Sequence, residues 1–395
     1  MYKRILSALL CVLLPLTALA EELSAPVDVS PAAQEASTIY TPGRESCGKP
    51  NCFWETPMDY TNTEAVWAML TAPITVINGN FRAQAKVYAE PSKDSKVIAE
   101  VTQDSQGVHL LENLDNGWSR IECYSSSFHG STVKAWNALV VGYVETSTLK
   151  EVAVRTEYGL VVDKLTQRLY IYQDGQFLDE LMVSTGLPSA GKGYNETRSG
   201  EYLLFSPTGA FPSESFTCNY GIRYDDGDLL HEIPHIKYEN GSDYSRTEKL
   251  LGSRASHGCI RVQRKRTEQG LNMRWIWNNL RDKMKTRMVI WEDWQGRSIP
   301  LPAEDTALYY NLKGGKEYHD SPACYGVLDK FEPMTAFTYG ELESADFAKL
   351  DACIYCNPPR RAGEIEEINA AHAPTEEFPA WSPHWETLTV KKKKK

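Results

Sequence analysis

What this chain has little of narrows its class. Basic residues are outnumbered, 42 Lys and Arg against 52 Asp and Glu, for a formal charge of -10. A phosphate backbone needs a basic surface, so no nucleic acid is expected as a partner. The one dense basic block, Lys391–Lys395, reads either as a contact for an anionic polymer or lipid or as an appended tag. Beyond the N-terminus no stretch approaches the ~20 apolar residues of a membrane helix, so no stable membrane insertion is expected. Apolar material itself is not scarce. The 395 residues are 42% hydrophobic and 11% aromatic, enough for two or three packed domains.

At the N-terminus, Lys3 and Arg4 precede the apolar run Ile5 to Thr17 and the small residues Ala18-Leu19-Ala20. These spell a secretory signal peptide over 1–20, too short to span and stay. Leu10 precedes Cys11 where lipoprotein processing needs a small residue, so secretion is expected and not lipidation. Residues 21–73 are Pro-, Ser- and Thr-rich and read as a linker. Cys47 and Cys52 sit within it, and spacing alone does not assign them a disulfide.

From Ile74 short β-rich runs alternate with turn signals such as "EPSKDSK" and "NLDNG". That pattern predicts a small antiparallel barrel over 74–150. The order of a Pro-Ser turn, "SKVI", Gly117-Trp118 and a closing "GYV" at Gly142–Val144 resembles the bacterial Src-homology-3-like domain. Such domains commonly hold cell-wall peptides or glycans, so a wall-tethering role is implied, with a plain spacer as the competing reading. Residues 152–292 carry strands at Val161-Val162, Leu169–Tyr172 and Leu178–Val183, and one helix with apolar period at Trp275, Ile276, Leu280 and Met284. The fold class predicted is mainly β: the small barrel, a β-rich domain with one helix, then a small Cys/His module over 305–360 and a disordered tail over 361–395.

The chemistry concentrates in "SRASHGCIRV", Ser253 to Val262. A thiol attacks as the thiolate, and an imidazole can take its proton and hold the anion as an ion pair. Gly258 removes a side chain beside the sulfur and lets local N–H groups converge as an oxyanion hole. Arg261 can meet a substrate carboxylate. A buried or disulfide-bonded cysteine is the competing reading of "HGC" by itself.

The full string "SHGCIR" resembles the signature of the YkuD-type L,D-transpeptidases. There a serine or threonine, a histidine, a glycine and the nucleophilic cysteine are followed by an aliphatic residue and arginine or asparagine. The family's upstream histidine is matched by "LLHEIPHIKY", where His231-Glu-Ile-Pro looks like the family's His-Ser-Val-Pro. His235 competes, and an inserted polar loop, "KYENGSDYSRTEK", lengthens the gap to Cys259. Ser184–Gly186, "STG", matches the end of a core strand in the family. "TRSGEY" stands where the family usually has Thr-Pro-x-Gly, with Arg198 in place of the proline. The resemblance implies a β-sandwich-like catalytic domain and the following roles: Cys259 as nucleophile, His231 as base, His257 and Gly258 completing the catalytic loop, and Arg261 and Ser256 at the substrate. No cofactor is implied for catalysis. The implied partners are peptidoglycan stem peptides, and the implied location is the cell wall or periplasm. An L,D-carboxypeptidase using the same site, and a non-catalytic wall-binding protein, are the alternatives.

A second cluster follows. Cys353-Ile-Tyr-Cys356 has the tight spacing that lets two sulfurs bind one ion, and His319 and Cys324 precede it as His-x4-Cys. Closed Cys3His coordination suits structural zinc, which a small module with few large apolar runs also needs as a staple. A Cys353–Cys356 or Cys324–Cys353 disulfide is the alternative in a secreted protein.

Overall fold

The computed structural model describes residues 59–189, 192–291, 298–324, 326–327 and 333–371. The signal peptide, most of the predicted linker with Cys47 and Cys52, and the lysine run lie outside them. Among the described residues no helix is long and apolar enough to cross a membrane.

The chain is mainly β. A nine-stranded sheet runs in the order Gly200–Leu203, Arg287–Trp291, Tyr158–Asp163, Arg168–Gln173, Gln176–Ser184, Ile260–Val262, Leu229–Glu232, Phe216–Arg223, Ser206–Ser213. Its central strands are covered on both faces, which is why "YGLVVD" is buried at every position and lacks polar alternation. One face carries Leu160, Val162, Leu169, Ile171, Leu181 and Val183, packed with Met273, Ile276 and Leu280 of helix Met273–Leu280. That helix starts where Asn272 accepts a hydrogen bond from Trp275 N–H at 3.0 Å.

The other face corrects the expectation for the linker. Residues Thr63–Thr71, read as part of it, form a helix. The segment "TEAVWAMLT" holds no glycine or proline, Asn62 caps Ala65 N–H at 3.1 Å, and Pro73 follows the end. Val66, Met69 and Leu70 are buried against Val161, Tyr172, Val289 and Trp291. Each such side chain stabilises by roughly 1.5–3 kcal/mol. The Leu70 side chain occupies the space a Cβ on Gly159 would need.

Residues 84–145 form a five-stranded antiparallel sheet in the order Val97–Thr102, Gln84–Tyr88, Leu139–Glu145, Trp118–Tyr124, His109–Asn113. Its own core contains Val87, Ala99, Val101, Ile121, Val140 and Val144. Tyr124 and Leu139 leave that core and join the cluster under the Thr63–Thr71 helix, so the two units share buried surface.

The C-terminal module is a four-stranded sheet, Thr335–Thr338, Ala307–Tyr310, Glu317–His319 and Asp351–Ala352. Its core of Leu308, Tyr318, Phe337, Tyr339 and Leu342 is small. The predicted disordered tail begins instead as a helix, Ala362–Ala371, with Ile365 buried.

Candidate active site and metal centre

Cys259 stands one residue before strand Ile260–Val262, which pairs in parallel with Leu229–Glu232. The register sets Leu230 opposite Ile260 and His231 opposite Arg261. Leu230, Ile260 and Val262 point into the core, so by strand alternation His231, Arg261 and Cys259 share the opposite face. The Leu229 N–H faces the Cys259 sulfur.

His231 is buried, and its Nδ1 lies 2.6 Å from the Glu232 carbonyl oxygen. A carbonyl only accepts, so Nδ1 carries the proton and Nε2 keeps its lone pair. Phe211 meets the imidazole edge-on with ring centres 5.3 Å apart. Burial takes the imidazole down to about 4, with Arg261 acting in the same direction and the Glu232 carbonyl against it. Burial also pushes the Cys259 thiol up to about 12; the Asp228 carboxylate adds to the rise, and the Leu229 N–H and Arg261 oppose it. Both shifts favour a neutral thiol and a neutral imidazole over the expected thiolate–imidazolium ion pair. His235 sits elsewhere. Its backbone exchanges hydrogen bonds with Thr217 at 2.8 and 3.0 Å, and its ring lies against Tyr244.

The loop before Cys259 is held from below. Ala255 and Ser256 N–H groups donate to Thr185 O at 2.8 and 2.9 Å, and Leu187 N–H donates to Ser256 O at 3.0 Å. Thr197 takes a bond from Gly186 N–H at 2.7 Å and donates to Gly258 O at 2.6 Å, tying the "STG" segment to the Cys259 loop. Ser256, expected at the substrate, is buried and occupied: its hydroxyl donates to Cys259 O at 2.5 Å and accepts from Gly258 N–H at 3.2 Å. The Gly258 N–H, expected to join an oxyanion hole, is here engaged by Ser256 Oγ. Arg261, also expected at the substrate, is half-buried and donates to Ala255 O at 3.1 Å. His257 is exposed at the rim.

Gly258 has φ +125, a conformation that favours glycine. A Cβ there would collide with the Asp228 carboxylate. Asp228 was not singled out from the sequence, nor was the part Arg198 plays. Arg198 is buried and bridges Asp228 and Asp225, reaching the latter at 2.8 Å. Burial works against its charge, but Asp228 and Asp225 hold it well above its ordinary value. Asp225 also accepts from Thr102 Oγ1 and, at 3.2 Å, from Ser126 Oγ in the N-terminal sheet. The available signal was the replacement of proline by Arg198, together with the acidic turn "DDGD" just ahead of the His231 strand.

The second cluster assembles as its spacing predicts. The ligand atoms of His319, Cys324, Cys353 and Cys356 all lie within 4.8 Å of one another. Cys324 and Cys353 sulfurs are 3.9 Å apart and Cys356 Sγ is 3.6 Å from His319 Nδ1. Two thiolates at ~2.3 Å from a tetrahedral ion stand about 3.8 Å apart, so the residues fit zinc and leave the thiols unlinked. Gly326 and Tyr355 N–H groups each donate to a sulfur at 3.4 Å, as ligating thiolates require.

Residues 157–290 match the family model of the L,D-transpeptidase catalytic domain, YkuD. No curated protein matches the chain. Similar solved structures include a fused Zn-dependent amidase/peptidase/peptidoglycan-binding domain-containing protein from Clostridium acetobutylicum, 20% identical over 36% of this chain and 54% of that one, with TM-score 0.24. An L,D-transpeptidase from Mycobacterium smegmatis is 14% identical over 56% of this chain and 91% of that one, with TM-score 0.28. One from Mycobacterium tuberculosis H37Rv is 14% identical over 56% and 99%, with TM-score 0.27. The chain spans about half the length of the first of these. The chain thus carries, over residues 157–290, a catalytic domain of the YkuD L,D-transpeptidase family.

Proposed function

We propose that the protein is a secreted peptidoglycan L,D-transpeptidase with Cys259 as nucleophile and His231 as base. The observation that carries this is the pairing of two neighbouring parallel strands, one presenting a thiol and the other a neutral imidazole pinned through Nδ1. Cys259 Sγ attacks the amide carbonyl after the diaminoacyl residue of a tetrapeptide stem. Burial favours the neutral thiol, so its proton passes to His231 Nε2 as the C–S bond forms. The imidazolium then protonates the departing amine, so D-alanine leaves and a thioester remains. A second stem amine, deprotonated by the same imidazole, attacks the thioester carbonyl and returns the thiol.

Thr197, Ser256 and Arg261 hold the loop in place. The Arg261 charge also favours the developing thiolate. The Cys3His cluster would hold a structural zinc. With four protein ligands its shell is closed, so it takes no part in the chemistry. The N-terminal sheet is read as a wall-binding domain of the Src-homology-3-like kind.

The test is the product spectrum from purified tetrapeptide muropeptides, read by mass spectrometry with the native chain and Cys259→Ala. Dimers lacking one D-alanine support transpeptidation, and tripeptides alone mean that water resolves the thioester. Turnover that survives in Cys259→Ala overturns the reading.

A further inference from the structure

The Cys/His module is docked against the loop that carries the nucleophile. Beyond Cys356 the chain passes through Asn357, two prolines and Arg360. The prolines fix φ and stiffen the connection. Tyr318 OH donates to Pro359 O at 2.8 Å, and Tyr339 OH donates to Arg360 O at 2.8 Å, so this connection is built into the module. Its side chains face the catalytic domain. Asn357 bonds to Arg168 and, at 3.3 Å, to Glu180. Arg360 Nη2 donates to Thr166 O at 3.1 Å and to Gly252 O at 2.7 Å.

Thr166 lies in the turn before strand Arg168–Gln173, and Gly252 at the root of the Cys259 loop. Gly252 begins it, with its own N–H on Val183 O at 2.9 Å. Its φ is +82, and a Cβ there would come within 3.3 Å of Arg360 Nη2, so glycine lets the guanidinium close in. Thr166 precedes Gln167, whose amide brackets Thr185 with bonds of 2.8 and 2.9 Å. Thr185 O is the acceptor for Ala255 and Ser256 N–H. Arg360 therefore grips the loop at its start and, through Gln167 and Thr185, beneath its middle.

We propose that the module is a metal-locked clamp: a zinc-type divalent cation held by His319, Cys324, Cys353 and Cys356 fixes the segment that places Arg360, and Arg360 positions the Cys259 loop. A closed thiolate–imidazole shell adds its binding energy to folding of a module whose own apolar core is small. Without the ion, no disulfide ties residues 319–324 to 353–356 among the described residues. The clamp goes beyond the transpeptidase reading and depends on it only for the kinetic arm of its test.

The experiment uses the full chain, as purified, stripped by chelator under reducing conditions, and reloaded with Zn2+. Metal is counted by native mass spectrometry. Loop order is followed by amide hydrogen exchange in peptides covering 250–256, and nucleophile competence by the rate of carbapenem adduct formation at Cys259. One zinc per chain is expected. Stripping should speed exchange over 250–256 by roughly tenfold or more, and slow acylation in parallel, with recovery on reloading. Arg360→Gln should keep its zinc yet show the same loosened loop, and Arg360→Lys, which can meet one carbonyl, should fall between. The proposal is overturned if the chain binds no zinc, if the stripped chain keeps the loop protected, or if Arg360→Gln leaves it unchanged. Should no variant form an adduct, the native chain included, the transpeptidase reading fails while exchange still decides the clamp.

Discussion

The Asp228 carboxylate stands where any side chain on Gly258 would have to go. The Cys259 loop can turn at φ +125 only because residue 258 has no Cβ, and the turn sets Cys259 against Leu229 N–H. Gly258→Ala should therefore do more than add strain. Displacing Asp228 breaks its pairing with Arg198 and shifts Cys259 off the His231 strand. Carbapenem acylation, followed by intact mass, should fall by at least ~100-fold, the usual penalty for an ångström-scale misplacement. A Gly258→Ala chain acylating at the native rate would show that the carboxylate gives way freely.

Arg198 is the only cation bridging the two buried carboxylates of the acidic turn in the described ion pairs. Removing it strands Asp225 and Asp228 away from water. Arg198→Ala should lower stability by roughly 3–5 kcal/mol, the usual cost of breaking a buried pair. Asp228→Asn in the Arg198→Ala background should recover part of that loss, because one uncompensated carboxylate disappears. Urea midpoints of the two single variants and the double variant decide the matter, and strictly additive losses would mean that the pair is not coupled.

His231 should leave a mark on the pH dependence of both rate and stability. Its imidazole is held down at about 4 by burial, against 6.5 unperturbed. With His231 as the proposed base, the imidazole stays neutral well into acid, so the acid limb of Cys259 acylation should lie near pH 4 and not near 6.5. In the unfolded chain the same imidazole binds its proton at 6.5. Below that pH the unfolded state takes up a proton that the folded state refuses. Stability attributable to His231 is thus lost as pH falls from 6.5 towards 4, by roughly 3 kcal/mol in all. His231→Gln should flatten this part of the stability profile and cut acylation by roughly 10²–10⁴-fold. His235→Gln should leave the acylation profile in place. If the His235 variant moves the acid limb instead, the base has been misassigned.

The Cys259 string and the His231 strand were readable because each is local, the Cys3His set because two short spacings, His-x4-Cys and Cys-x2-Cys, bring its members in pairs, and strands with continuous apolar runs announced the central sheet. What escaped the reading is long-range. Helix Thr63–Thr71 lies in a polar N-terminal stretch, and only contact with Tyr172 and Trp291 far along the chain reveals its buried face. Arg198, Asp225 and Asp228 are charged residues that a sequence reading places on the surface. Their burial depends on three segments converging, each supplying what the others lack. Ser256 and Arg261, expected at the substrate, also serve the loop's own carbonyls, Cys259 O and Ala255 O, which no local string announces. A motif fixes which residues meet, but not whether each faces ligand or backbone.

The N-terminal sheet, expected from the sequence to tether the chain to the wall or to act as a plain spacer, gives the last prediction. As a detachable tether it could be deleted with soluble substrates still turned over. Its bonds to the catalytic domain oppose that. Thr102 and Ser126 hydroxyls donate to Asp225, Asn137 accepts from Ser199 N–H at 2.6 Å, and the backbone bonds Gly107 N–H to Glu201 O and Leu203 N–H to Ser105 O are 2.7 and 2.8 Å long. These contacts surround the Arg198 bridge, two salt-bridge steps from Gly258. Deleting 74–150 would expose Asp225 and the apolar face shared with Tyr124 and Leu139. Acylation of Cys259 should fall along with stability, even by a soluble carbapenem that needs no wall contact. The milder pair Thr102→Val with Ser126→Ala keeps the sheet but leaves a buried carboxylate short of two donors. It should cost roughly 1–3 kcal/mol for each lost bond and slow acylation measurably. If both proteins acylate at the native rate, the sheet is a passive neighbour of the site, and its contribution must lie wholly in what its outer surface holds.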